Sequence, residues 1–329
     1  MPAPRSVAII GAGQIGFAAA QAFGEAGWQA RVFARSRPRW LADAACSFTE
    51  WTRGAPAPAA DVVLDTIAYD AADIAEYEPD KVGRLIVVSS ASVYCDAEGR
   101  TLDEAAIGGF PELAVPITEE QNTVPPGPQT YSTRKVRMEQ AALARFGARA
   151  TILRPCAIHG LWSRHPREWW FVKRLLDGRK VIPLALEGQS RFQTTSAATI
   201  AVFALHVAEQ DVSGIFNLAD TDAPDVRQIG AAIAEAVEQK VEFALLPGYP
   251  EAGVGRTPWS VPKPFVITAA KAAATGFTPP TAYKDAVTPA IAWLRNDPPQ
   301  DWQSAFPQLA AYPWNLFDYA AEDAALEKP

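Results

Sequence analysis

The sequence predicts an α/β fold, a doubly wound parallel sheet joined to a smaller C-terminal lobe. Its first half alternates short β-branched runs with alanine-rich helical stretches, and a glycine-rich turn follows the first strand. Near Arg154 the alternation gives way to irregular Trp-rich and Pro-rich segments. Such alternation implies βαβ units whose crossover helices cover both faces of a sheet. At 329 residues the chain exceeds the usual single domain. The expected division is a sheet domain, 1–155, and a lobe, 156–329, from which some segments return to the sheet.

Taken in order, Ser6 to Ile10 (SVAII) reads as the first strand, Phe17 to Gly27 as a helix and Ala30 to Ala34 (ARVFA) as the second strand. Asp61 to Thr66 (DVVLDT) and Arg84 to Ser90 (RLIVVSS) are the next two strands, and Ala150 to Arg154 (ATILR) follows a helix that carries Tyr131. The Pro-, Gly- and acid-rich stretch between Cys95 and Thr130 predicts a long surface excursion. In the second half, Gly214 to Leu218 (GIFNL) predicts a strand and Val226 to Gln239 a helix. Phe317 to Pro329 reads as a docking helix or a frayed tail.

The hydrophobic fraction of 49% against 20% charged is that of a globular chain. A net charge of -7 opposes binding to a phosphate backbone, so nucleic acid is not an expected partner. Met1 to Arg5 runs straight into the first strand without an export signal, and no apolar run approaches a membrane span. Cys46, Cys95 and Cys156 fit neither a disulfide framework nor a metal knuckle. His159, His165 and His206 lack metal-like spacing; no metal is expected. These features predict a soluble cytoplasmic protein, monomeric or homodimeric, acting on a small molecule.

Gly11-Ala-Gly13-Gln14-Ile15-Gly16 follows the first strand and opens a helix, the context in which G-x-G-x-x-G marks a Rossmann dinucleotide site. Gly11 allows the tight turn, Gly13 lets the backbone approach the pyrophosphate, and Gly16 lets the helix pack on the strand. The pyrophosphate is then met by free N–H groups and the helix dipole. After the second strand comes Arg35-Ser36-Arg37, with no carboxylate to accept from a ribose hydroxyl. Two guanidiniums and a hydroxyl suit a 2′-phosphate, so NADP(H) is expected over NAD(H). Thr66 and Ala68 complete the cofactor contacts expected from this half.

Tyr131 and Lys135, four apart, share one helix face. A phenol with a pKa of about 10 is a poor base at neutral pH, and a neighbouring ammonium is expected to lower it. Tyr131 then exchanges a proton with a substrate oxygen while the nicotinamide exchanges a hydride with the attached carbon. Ser90, at the end of a strand, supplies a hydroxyl to hold that oxygen. Ser92 and His159 are expected to face substrate. His206 reads as structural, while Trp162, Trp169 and Trp170 read as core or pocket wall.

GAGQIG, SSASVY, YSTRK, LRPCAIHG and GIFNLAD occur in an order that resembles the extended short-chain dehydrogenases/reductases, the group containing the NAD-dependent epimerase/dehydratase proteins. The resemblance implies Tyr131 as acid/base, Lys135 as its pKa-lowering and ribose-binding partner, and Ser90 as the oxygen-orienting hydroxyl. It also implies that Pro155, Ala157 and Ile158 line the nicotinamide, and that Arg191 matches a substrate-lobe arginine. Ala157 stands where many sugar-nucleotide members have asparagine, His159 where tyrosine is frequent, and Thr194 to Ala198 replaces a usual V-D-D-[VL]-A. The resulting expectation is an NADP(H)-dependent oxidoreductase acting at a secondary alcohol or ketone. The alternatives are a nucleotide-sugar epimerase/dehydratase and, from another class, a non-catalytic NADP-binding redox sensor.

Overall fold

The computed structural model describes residues 5–249 and 253–327, so Met1 to Pro4 of the expected N-terminal run and Lys328 to Pro329 of the tail lie outside it. The strands, in chain order, are β1 (Ser6–Ile10), β2 (Gln29–Ala34), β3 (Ser47–Glu50), β4 (Ala60–Asp65), β5 (Val82–Val88), β6 (Ala150–Pro155), β7 (Ala157–His159), β8 (Val181–Leu184), β9 (Thr194–Ser196), β10 (Gly214–Leu218) and β11 (Glu242–Leu245). The chain forms two compact units.

The first unit comprises Met1–Cys156, Ala197–Ala219 and Ile267–Pro280. Its seven-stranded sheet runs β10-β6-β5-β4-β1-β2-β3, with parallel pairing throughout. The expected doubly wound parallel sheet is therefore present. Val7, Ile9 and Ile10 of the central β1 are at most 1% exposed. Burial on both faces is why such strands read as unbroken apolar runs rather than alternating ones. The strand order reverses direction at β1, placing the glycine turn after it at the topological switch point.

Helix α1 (Gln14–Glu25) begins three residues before the expected Phe17, because Gly13, still extended, is its N-cap and the first helical turn follows directly. Two short helices follow, α2 (Ala71–Ala75) and α3 (Ala105–Gly108), and then α4 (Tyr131–Phe146). A capping box starts α4: the Thr130 hydroxyl accepts from Thr133 N at 3.2 Å, and Thr133 Oγ1 accepts from Thr130 N at 2.9 Å. Gly147, at φ 54°, ends it. Short β3, polar and half exposed, carried no strand signal. β10, read from sequence with the C-terminal lobe, joins the sheet beside β6.

The second unit comprises Ala157–Ser196, Asp220–Val266 and Thr281–Pro329. Its sheets are two parallel pairs, β7 with β9 and β8 with β11. Its core gathers α5 (Trp169–Leu176), the helices Val226–Val237 and Tyr283–Asn296, and Trp259. Trp169 and Trp170 are 3% and 1% exposed, so both are core. The helix Tyr319–Leu326 docks through Glu322, buried and ion-paired with buried Arg174, whose guanidinium lies 3.5 Å over the Trp170 ring. That buried pair decides between docking helix and frayed tail. No helix among the described residues is long and apolar enough to cross a membrane.

Candidate active site

The glycine turn shows three different constraints. Gly11 has φ 106°, and a Cβ there would lie 2.3 Å from Thr66 Oγ1. A Cβ on Gly16 would lie 2.1 Å from Gly11 O, so α1 approaches the turn too closely for any side chain. At Gly13 a Cβ would meet nothing within 4 Å, which leaves open space above the helix start. Neither a capping side chain nor an acidic residue occupies the first turn of α1, whose N–H groups and dipole are left to an anion. These features fit a pyrophosphate. Ile15 is buried in the core, so only its backbone can serve the ligand, and Gln14 Oε1 is buried without a hydrogen-bond partner.

Thr66 donates to Ile10 O at 2.7 Å and braces the turn from the β4 side. Trp40 braces it from the β2 side, donating to Ala12 O at 3.0 Å and packing edge-on against Phe17. Arg35, Ser36 and Arg37 follow β2 as expected and are all exposed. No hydrogen bond or ion pair engages their side chains among the described residues, which leaves them free to meet a solute anion.

Ser90, Tyr131 and Lys135 come together in the first unit. β5 ends at Val88 rather than at Ser90; Ser90 instead caps the short turn Ala91–Val93, its Oγ accepting from Ser92 N at 3.1 Å. The Ser90 hydroxyl faces the Tyr131 phenol and acts to lower its pKa. Lys135 Nζ lies 5.7 Å from the Tyr131 ring centroid and donates to Ala68 O at 2.6 Å and Val88 O at 3.0 Å. Ala68 thus meets Lys135 through its carbonyl. Burial pulls the Lys135 ammonium down to about 8, against the opposing fields of Asp65 and Glu139.

The expected lowering of the phenol is not found. Burial raises Tyr131 above the ordinary tyrosine range, and the carboxylate of Asp103 adds to the rise, with only the Ser90 hydroxyl acting the other way. The lysine charge is directed at two carbonyl oxygens instead of at the phenol.

The stretch between Cys95 and Thr130 is anchored rather than loose. Buried Asp96 accepts from the backbone of Glu98, Arg100 and Glu112. Glu104 accepts from Ser132 N at 3.3 Å and Ser132 Oγ at 2.9 Å, tying the segment to the start of α4. The hydroxyl of Ser92, expected to face substrate, lies 3.1 Å from Ser132 Oγ and accepts from Asp103 N at 3.2 Å. Ser92 is 9% exposed and serves as the clasp between that segment and the helix. Asp103 and Glu104 escaped sequence reasoning because nothing in their spacing relates them to Tyr131. Glu139 was also passed over, although with Tyr131 and Lys135 it forms an i, i+4, i+8 stripe that the sequence displays. It is buried against Arg154 and accepts from Ser89 at 2.5 Å.

Pro155 ends β6 in the first unit, while Ala157 and Ile158 lie on β7 in the second, where Ala157 N donates to Gln193 O at 3.0 Å. His159, also expected to face substrate, is 1% exposed. Its Nε2 lies 2.7 Å from Asp220 Oδ2, its ring packs edge-on against Tyr283, and its Nδ1 is buried without a partner. Asp220 raises the imidazole pKa against the cost of burial, and the imidazole lowers that of Asp220. Arg191 is exposed beside β9. Sequence reasoning passed over Arg256, whose guanidinium lies 4.2 Å from the Tyr249 ring centroid and 3.9 Å from that of Trp314. His206 is held to Thr275 Oγ1 at 3.0 Å and stacks on Phe203.

No protein-family model matches the sequence, and no curated protein matches it. Solved structures do. UDP-N-acetylglucosamine 4-epimerase from Bacillus cereus aligns over 88% of this chain and 99% of its own, with a TM-score of 0.64 and 15% identity. The Bordetella bronchiseptica enzyme WbmH, in complex with NAD+, aligns over 89% and 99% with a TM-score of 0.67 and 17% identity. DesIV, a dTDP-glucose 4,6-dehydratase from Streptomyces venezuelae with NAD and TYD bound, aligns over 89% and 97% with a TM-score of 0.63 and 16% identity. The chain has the fold of the extended short-chain dehydrogenases/reductases, the group of the NAD-dependent epimerases and dehydratases.

Proposed function

We propose that this chain is a nicotinamide-dinucleotide-dependent oxidoreductase acting at a secondary alcohol or ketone, with NADP(H) preferred. The observation that carries the reading is the convergence of Ser90, Tyr131 and Lys135 in the unit that also holds the open glycine turn. A binding protein without turnover has no need of that trio. When bound, the nicotinamide supplies or accepts the hydride. Ser90 orients the substrate oxygen, and Tyr131 exchanges the proton with it. Because the phenol sits above its usual range, Tyr131 holds its proton at neutral pH and acts as the acid, which favours the direction from ketone to alcohol. Lys135 presents an ammonium to the cofactor ribose.

The NADP(H) preference rests on Arg35, Ser36 and Arg37 and on the missing carboxylate after β2; the NAD in the solved structures above belongs to those proteins. A second reading, a nucleotide-sugar epimerase or dehydratase, is favoured by the names of those structures. Arg191 and Arg256 are groups that pair with diphosphates.

Two measurements test the proposal. Fluorescence titration should show NADPH binding more tightly than NADH, with the preference falling about 10- to 100-fold in Arg35→Ala or Arg37→Ala as one charge-assisted contact is lost. Tighter NADH binding, or a preference unmoved by either substitution, removes the NADP assignment. In a screen of ketones for NADPH oxidation, Tyr131→Phe should lower turnover about 100- to 10,000-fold while leaving cofactor affinity unchanged. Retained turnover in that variant excludes Tyr131 as the acid.

A further inference from the structure

Asp65, the last residue of β4, is a buried carboxylate outside the catalytic trio, 0% exposed. Its two oxygens face different partners. Oδ1 accepts from Ile67 N at 3.0 Å and Ala68 N at 2.8 Å, closing the turn after the strand. Oδ2 accepts from Arg53 Nη2 at 2.5 Å and from the buried Tyr77 hydroxyl at 2.6 Å. Arg53 in turn reaches Asp73 and Glu76, both at 3.4 Å. The turn that Oδ1 closes presents Ala68 O to Lys135 Nζ at 2.6 Å. A continuous path of bonds therefore leads from Arg53 and Tyr77 through Asp65 and the Ala68 backbone to the catalytic lysine.

Closing the turn does not by itself call for a charge. An asparagine accepts the same two N–H groups, whereas a buried carboxylate carries a desolvation cost that its partners must offset. What the carboxylate adds is a negative field at Lys135, an ammonium that is itself buried. The charged groups facing that ammonium are Asp65 on β4, Glu139 on α4, Asp73 on α2 and Arg53 before β4, and among them Asp65 acts most strongly to keep it protonated.

We propose that Asp65, braced by Arg53 and Tyr77, is a positioning residue for Lys135: it fixes the Ala68 carbonyl against the ammonium and holds the lysine in its charged form. The inference rests on the reading of Lys135 as a cofactor-binding lysine, but its test does not need a substrate. Lysine labelled at the ε-carbon, with the Lys135 signal assigned from Lys135→Arg, reports the titration by NMR in the intact protein.

In the wild type the midpoint lies near the value of about 8 given above. In Asp65→Asn it should fall by about one unit or more. Should that variant fail to fold, the double variant Arg53→Met with Asp65→Asn removes both members of the buried pair and should show a smaller shift in the same direction, since Asp65 outweighs Arg53 at the lysine. NADPH affinity at pH 7.5 should weaken about fivefold in Asp65→Asn, less in the double variant, and recover at pH 6, where the lysine is charged again. A merely structural defect would not recover on acidification. A Lys135 midpoint within about 0.3 unit of wild type in the folded variants overturns the proposal. If Lys135→Ala binds NADPH as well as wild type, the cofactor role of the lysine fails instead, and the titration alone decides the role of Asp65.

Discussion

The two units bury charge in different ways. In the first, Asp65, Glu139 and Lys135 are each held by several partners, and the bonds run from Arg53 through Asp65 and the Ala68 backbone to Lys135. In the second, His159 pairs with Asp220, whose other oxygen accepts from Ser196 N at 2.7 Å. His159 Nδ1, His165 Nε2 and the indole N–H groups of Trp169, Trp293 and Trp314 are buried around the same core with no hydrogen-bond partner. The first arrangement transmits a change of charge to a neighbour. The second is bordered by buried polar groups without partners, so disturbance there appears as lost stability. Substitutions in the first unit should move titrations and binding, and those in the second should move the unfolding midpoint.

The largest effect is expected from Asp220→Asn. The pair is at full strength where Asp220 is ionised and His159 protonated. With the Asp220 pKa lowered and that of His159 raised, its contribution is lost as pH falls through the aspartate range and again as pH rises through the raised histidine pKa. Between those limits the substitution should cost about 3–5 kcal/mol in denaturant unfolding, the usual result of breaking a buried pair. A loss below about 1 kcal/mol would place the dyad among ordinary surface pairs and remove the contrast.

An intermediate effect is expected from Lys135→Met. A lysine held near 8 in the folded chain and near its ordinary value when unfolded binds fewer protons folded than unfolded in the interval between. Wild-type stability relative to Lys135→Met should therefore rise with pH over that interval, by roughly 3 kcal/mol in total. A flat difference would mean that the folded chain does not depress this lysine. The smallest effect is expected from Asp103→Asn, where loss of one half-screened carboxylate should lower the Tyr131 pKa by less than about one unit. The alkaline limb of ketone reduction, followed against pH, should move down with it. A movement upward would show that Asp103 does not face the phenol.

How much of this was legible in advance depended on distance along the chain. The first βα unit, its three glycines and the Tyr131–Lys135 pair are local patterns, set by the periods of strand and helix and by steric limits within a few residues. The expected strand ends slipped by up to two residues, because hydrogen-bond pairing with a neighbour, not composition, decides where β5 stops at Val88 rather than Ser90. By itself the sequence determined the parallel sheet, the glycine turn and the placing of Tyr131 and Lys135 on one helix face. Only the tertiary structure decided the protonation of those two residues. The field at Tyr131 comes from Asp103, the field at Lys135 comes from Asp65, and the partner of His159 lies 61 residues away at Asp220. Charge acts through space, and no period along the chain records which distant residues folding will bring within its reach.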